Sequence, residues 1–448
     1  MRVTGKVHRT APAKPSERAR VAPKPESRAA TPSSIADHAR GQRSITIGTF
    51  GAGPPVTTIT RTSTFLLTAT GIALLAACGR DASRVSGPPA CTLERARAAL
   101  GPAPAVVPDA SPYDAEFDAA GAEFGVPARL LRAVGYVETR WQMVEGTEEF
   151  PGVPPAFGVM ALRGKRLREG ARLAGVSETD ARRDALANIR AAAALIRAHG
   201  DSLGIAGTDP TTWTPGLARF SGIELAGARE SWVRDVHSVR TGRRAAPMRP
   251  AFATAASGSC DPTDPPPASS VDQLGAIWRP SLNFDTRMSG DGGRIQLVII
   301  HSCEGGYAGC WGWLAHPQSQ VSAHYVVRED GAEITQLVRE PARAWHIGAM
   351  YDSTLNAGHA GHLHGIQSNH FTIGIEHAGY ASQTTWPAAQ LDASARLVCD
   401  AAKRWGIPRD RLQIVAHGQL QPWNRTDPGP NWPWDEYMAR IATHCAGG

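Results

Sequence analysis

Apolar residues recur at helical spacing in the first half of this chain and at strand spacing in the second. Phe117, Ala120 and Phe124 fall on one helical face, Gly125 is a fitting stop, and Pro127 opens a further helix bearing Leu130, Leu131, Val134 and Val137. Residues 184–199 predict another helix, with Leu186, Ile189, Ala193 and Ile196 on one face and Gly200 as its stop. No series of alternating strands precedes about residue 240, so this part reads as mainly α. Beyond residue 271 the period changes. Residues 294–300, 323–327, 333–338, 371–375 and 412–416 are short β-type runs, and Glu329-Asp330-Gly331 reads as a hairpin turn. Helices are predicted over 391–405 and 434–444, the second with Trp434, Met438 and Ile441 inward. Strands interspersed with helices define an α/β domain.

The intervening segments divide 448 residues into modules. Residues 1–61 are a basic Pro, Arg, Ala and Ser prefix with too little apolar surface to fold. The uncharged run 62–77 resembles a secretory signal peptide, and the ending Leu75-Ala76-Ala77-Cys78-Gly79 resembles the bacterial lipobox, in which the cysteine carries lipid. A buried hydrophobic helix is the competing reading of that run. A signal this far from the first residue points to a downstream translation start, for which Val56 is a candidate. Residues 78–110 then form the lipidated Cys78 and a tether, 111–240 the helical domain, 241–270 a Pro/Ala/Ser-rich linker and 271–448 the α/β domain.

The net charge of +6 does not imply a nucleic-acid partner. Residues 1–61 hold 11 Lys/Arg against 3 Asp/Glu, a surplus of +8, which leaves residues 62–448 at −2. Cysteine usage fits an exported protein. Setting Cys78 aside leaves six, which allow 15 pairings; by position Cys303 with Cys310, Cys399 with Cys445, and Cys91 with Cys260 are favoured.

Eleven of the 15 histidines lie from His301 onward. His301 directly follows the run LVII and His417 follows QIVA, so both sit at strand ends, where a sheet holds a side chain rigidly. Asp427 comes ten residues later. Two imidazoles and one carboxylate make an open three-ligand zinc site, although any single histidine is more often an ordinary structural one. The segments VIIHS, VSAHYVV, AWHIG, TIGIEHAG and AHGQLQPWNRTDPGPNW, in this order, resemble the type 2 N-acetylmuramoyl-L-alanine amidases, which include phage lysozyme-type amidases and peptidoglycan recognition proteins. The resemblance implies a central mixed β-sheet flanked by helices and one zinc ion held by His301, His417 and Asp427. It further implies that Glu376 accepts a proton from the attacking water, with Tyr325 as a donor to the oxyanion. Arg425 stands where many relatives have lysine. His324 and His346 shape the pocket and contact substrate, or else pack beneath it. The implied reaction is hydrolysis of the amide between N-acetylmuramic acid and L-alanine; members that only bind lose a zinc ligand.

In the first domain LLRAVGYVETRWQ, AFGVMAL and DALANIRAAAALIRAHG resemble the lysozyme-like lytic transglycosylases, in which one glutamate, here Glu138, serves as acid and then base. Thr139 replaces the usual serine, Gly158-Val159-Met160-Ala161 lacks the usual glutamine, and Phe220-Ser221 stands in place of a Tyr-Asn pair. These departures leave a glycan-binding module, or an ordinary surface carboxylate at Glu138, as alternatives. The expected protein is therefore a monomeric, exported, membrane-anchored lipoprotein acting on peptidoglycan, its membrane the outer one if the cell is Gram-negative. A non-catalytic wall-binding lipoprotein is the alternative.

Overall fold

The computed structural model describes residues 107–242 and 271–446. The prefix, the signal-like run, Cys78, the pairing of Cys91 with Cys260 and residues 243–270 lie outside them. The first described stretch is built of helices α1 (Asp114–Phe124), α2 (Ala128–Thr139), α3 (Gly164–Ala174), α4 (Glu178–Arg183), α5 (Ala185–Ser202), α6 (Thr214–Ser221) and α7 (Ala226–Arg240), with a two-stranded hairpin of β1 (Ala156–Phe157) and β2 (Leu162–Arg163) between α2 and α3. Phe117, Leu130, Leu131, Val134, Ile189, Ile196, Trp213 and Phe220 close into one apolar core. Gly125 ends α1 in the left-handed conformation, φ 63°, which a residue without Cβ adopts at no steric cost.

Gly200 does something other than stop its helix, since α5 continues to Ser202. A Cβ at Gly200 would lie 2.8 Å from the Trp213 ring, so this glycine lets the helix pack against a buried tryptophan. Leu186, expected on the inner face, is exposed.

The second stretch holds β3 (Ile277–Trp278), β4 (Phe284–Thr286), β5 (Leu297–Ser302), α8 (Tyr307–Leu314), β6 (Tyr325–Val327), β7 (Ile334–Gln336), β8 (Ala342–Ala344), β9 (Thr372–His377), α9 (Ala388–Trp405), β10 (Ile414–Ala416), α10 (His417–Leu420) and α11 (Trp434–Ala446). A six-stranded mixed sheet runs β10-β5-β9-β6-β7-β3. Its neighbours are parallel except for the β6/β7 hairpin, and β4 pairs with β8 separately. Both central strands, β5 and β9, are buried along their whole length, which is why they read as continuous apolar runs. Helices α9 and α11 cover one face, packing Leu391, Val398 and Ile441 on Val298, Ile300, Ile373 and Ile375. The other face buries Leu297, Ile299 and Val415 under Tyr351 and Phe371. Cys303–Cys310 joins the end of β5 to α8, and Cys399–Cys445 joins α9 to α11. Helix α7 packs on α8, so the helical and α/β parts are in contact, with Ala228 and Phe150 in the same apolar cluster as Trp311.

Candidate metal centre and active site

Side chains alternate along a strand, so His301 lies on the same face of β5 as Leu297 and Ile299. In the parallel register of β5 with β9, His301 pairs with Glu376, which places that carboxylate on the same face. His417 begins α10 directly after β10, the neighbour of β5 on its other side. The chain then loops back, and the Gly418 N–H donates to the Asp427 carbonyl at 2.9 Å, fixing the approach of the Asp427 side chain.

These elements bring four of the expected residues together. His301 Nδ1 is 3.0 Å from His417 Nδ1, and Asp427 Oδ2 is 3.2 Å from each of them. Glu376 Oε1 stands 4.0 Å from His301 Nδ1. All four residues are buried. Neither Asp427 oxygen makes a hydrogen bond among the described residues, nor does Glu376 Oε2. Buried carboxylate oxygens without donors are costly unless a cation faces them. Two ring nitrogens each about 2.0–2.1 Å from a tetrahedral zinc lie about 3.3 Å apart, so the observed spacing suits one metal ion.

The electrostatics agree with a site organised around positive charge. Burial would raise the Asp427 carboxyl, but His417 and His301 hold it well below the usual carboxylate range. Burial likewise pulls His417 down, and the Asp427 and Glu149 carboxylates override it, holding His417 up at about 10. Burial pushes Glu376 well above the ordinary carboxylate value, against the pull of His301.

His346 and His324 stand behind the centre. His301 Nε2 meets His346 Nδ1 at 3.0 Å, His346 Nε2 meets Thr372 Oγ1 at 3.1 Å, and both His346 and His324 are buried. Burial, followed by the neighbouring cations and histidines, depresses both rings, which are neutral at neutral pH. The Gly374 N–H donates to His324 Nδ1 at 3.0 Å. A Cβ on Gly374 would lie 2.3 Å from the His346 ring, so the absence of a side chain there is what admits the ring. His346 thus contacts the ligand candidate His301 directly, whereas His324 touches Gly374, Arg287 and the Ala342 carbonyl and not His301.

Tyr325 is elsewhere. It pairs with Ile375, not with Glu376, and so projects onto the helix-covered face, where its hydroxyl donates to Glu340 Oε1 at 2.7 Å. The sequence-based oxyanion role for Tyr325 is thus corrected: the β6/β9 register puts Val326 beside Glu376. Arg425 does reach the centre's rim, but its near neighbour is Glu149, with Nε 3.4 Å from Oε2.

Glu149 is the residue that sequence reasoning missed. It belongs to the loop between α2 and β1, and its Oε1 is 3.1 Å from His417 Nδ1 and 3.8 Å from His301 Nδ1. Glu149, His301, His417 and Asp427 form a buried four-donor cluster. No local signal could have revealed it, because 268 positions separate Glu149 from His417.

Glu138, near the end of α2, lies apart from this cluster. Its Oε1 accepts from Trp232 Nε1 at 3.1 Å, and burial raises its carboxyl, opposed by Arg166 and Arg163. It lines a cavity of about 230 Å³ whose other wall comes from the α/β part, including Glu304, Gly305 and Trp313. The histidines of the loop before β9 do not converge: His359 bonds Gln413, His362 pairs with Asp291, and the His370 ring accepts from the Met288 N–H.

A buried His2Asp cluster beside a glutamate with one oxygen lacking a donor, at the end of a mixed sheet, is an arrangement that could hold a divalent metal and activate water for hydrolysis. Comparison with known proteins narrows this. A sequence model of the N-acetylmuramoyl-L-alanine amidase family matches residues 291–430. N-acetylmuramoyl-L-alanine amidase A of Achromobacter lyticus is 36% identical over 191 residues, which span 38% of this chain and 96% of that relative. N-acetylmuramoyl-L-alanine amidase AmiD of Escherichia coli is 29% identical over 182 residues, spanning 37% of this chain and 60% of that protein. A solved structure of an AmpD derivative matches with 28% identity and a TM-score of 0.29, over 38% of this chain and 93% of that one. The chain belongs to the N-acetylmuramoyl-L-alanine amidase family and is an enzyme of that class.

Proposed function

We propose that the α/β part is a zinc-dependent peptidoglycan amidase that hydrolyses the amide between N-acetylmuramic acid and the L-alanine of the stem peptide. The observation that carries this reading is the convergence of His301 Nδ1, His417 Nδ1 and Asp427 Oδ2 within 3.2 Å of one another, around carboxylate oxygens that lack donors. His301, His417 and Asp427 would hold the ion. Bound zinc supplies Lewis acidity toward a carbonyl and lowers the pKa of water to about 7. Glu376, held on the neighbouring strand at the edge of the cluster, takes a proton from the attacking water and delivers it to the departing alanine amine. His346 fixes the orientation of His301, and His324 supports the strand beneath. Arg425 places a positive charge at the rim.

For the remainder of the chain we propose export by the run 62–77, a lipid anchor on Cys78 and a lysozyme-like helical part acting on glycan strands through Glu138. The half-buried Glu138 carboxyl, raised by its desolvation and bonded by Trp232 beside two arginines, suits a general acid. No helix among the described residues is long and apolar enough to cross a membrane.

Metal analysis and muropeptide mass spectrometry on purified protein, with and without chelator, test the amidase reading. One zinc per chain and chelator-sensitive release of stem peptides are expected; no bound metal would overturn it, as would lactyl amides left intact by zinc-loaded protein even when Glu149, the neighbour of His417, is replaced by alanine. Anhydro-muramic products that vanish in Glu138→Gln are expected of the helical part, and their absence from the unaltered protein would leave it a binder.

A further inference from the structure

Glu149 comes from the helical part of the chain, yet its carboxylate lies inside the metal centre of the α/β part. Its distances to His417 and His301, 3.1 and 3.8 Å, are close to those that the other three donors keep among themselves. Its second oxygen faces Arg425 Nε at 3.4 Å, so one oxygen points inward and the other is balanced at the rim. A three-ligand zinc site keeps a position open for water or substrate, whereas a fourth protein ligand closes it.

We propose that Glu149 is a fourth ligand of the metal, and that the loop between α2 and β1 thereby holds the amidase in a latent, self-occluded form. This rests on the zinc amidase reading above. The loop is anchored on both sides of Glu149. The Thr147 N–H donates to Glu304 Oε2 at 2.9 Å and the Glu145 N–H to Ser382 Oγ at 3.0 Å. Phe150 is buried in the cluster that holds Cys303, Cys310 and Trp311. Ion pairs Arg328–Asp235 at 3.0 Å and Arg140–Glu329 at 3.1 Å join the same two parts of the chain. These contacts are all non-covalent, and apart from buried Phe150 they are hydrogen bonds and ion pairs, so release of the loop breaks no covalent link between the two parts. The closure is mutual, because Glu304, Gly305 and Trp313 wall the cavity that Glu138 lines. Separating the two parts exposes both carboxylates at once.

The test uses the full chain and the variants Glu149→Gln, which keeps the shape of the side chain, and Glu149→Ala. Each is loaded with cobalt(II) as a spectroscopic stand-in for zinc and titrated with azide, and zinc affinity is measured by competition with a chromophoric chelator. In the unaltered protein the visible cobalt bands should not respond to azide. In both variants they should shift on azide addition, zinc should bind at least about tenfold more weakly, and turnover of a soluble muropeptide should rise. Azide response and zinc affinity unchanged in both variants would overturn the ligand role of Glu149. Failure of the unaltered protein and of both variants to bind any metal, with melting curves intact, would instead overturn the zinc reading beneath it.

Discussion

Glu376 and His301 face each other as register partners of the two central parallel strands, with the carboxylate oxygen 4.0 Å from the ring nitrogen that points at Asp427. Because neither strand is free to slide in a fully buried sheet, this spacing is a property of the fold. Removing the basicity of the glutamate while keeping its volume should therefore spare the metal and stop the chemistry. In Glu376→Gln, metal content should stay at that of the unaltered protein and kcat/KM should fall by about 10²- to 10⁴-fold. Loss of metal together with activity would place Glu376 among the ligands instead.

Gly374 gives a different kind of lever. A methyl group there collides with His346, whose ring holds His301 through a 3.0 Å contact. Gly374→Ala should leave the melting transition cooperative while weakening zinc binding by about 10- to 100-fold, the range seen when ligand-orienting partners are lost. Competition with a chelator measures it. Unchanged affinity would mean that His346 does not orient the ligand.

The interface carboxyl of Glu304 makes stability depend on pH. Burial raises it to about 7, against hydrogen bonds from the Ala381 and Thr147 N–H groups and the Ser302 hydroxyl. A carboxyl raised above its unfolded value of about 4.5 stabilises the fold fully below that value, and the contribution disappears as pH rises through about 7. The unfolding free energy, and with it the melting temperature, should thus fall between about pH 5 and 7, the free energy by on the order of 3 kcal/mol or less. Glu304→Gln should flatten that slope; a slope that persists in the variant assigns it to another group.

The two disulfides should differ in worth. Cys399–Cys445 closes 46 residues and Cys303–Cys310 only 7. Loop-closure entropy then gives about 4 kcal/mol for the first and about 2 kcal/mol for the second. Denaturant unfolding of the two paired Cys→Ala variants compares them directly, and equal losses would contradict the entropic account.

What the sequence could reveal followed from where each residue sits in the fold. His301 and His417 were legible because buried parallel strands read as uninterrupted apolar runs, so a histidine directly after one stands out. Tyr325 was misplaced because alternation says only that neighbours point to opposite faces; which face belongs to the site is decided by pairing with β9, a tertiary fact. Gly200 looked like a helix stop because a glycine near a helix end usually is one, and only Trp213 lying against it gives the packing reason. Glu149 was beyond reach, since its partners are assembled across the whole chain and nothing in Glu148-Glu149-Phe150 marks a ligand.

The zinc-amidase reading makes His301, His417 and Asp427 the residues that hold an ion driving hydrolysis of the lactyl amide. Its most direct test is mass spectrometry of muropeptides after incubating sacculi with the zinc-loaded protein, its Glu149→Ala variant and an Asp427→Asn control. Free stem peptides beginning with alanine are expected from the zinc-loaded protein and in larger amount from Glu149→Ala, and none from the control or after chelation. Lactyl amides left intact by both zinc-loaded forms would contradict it.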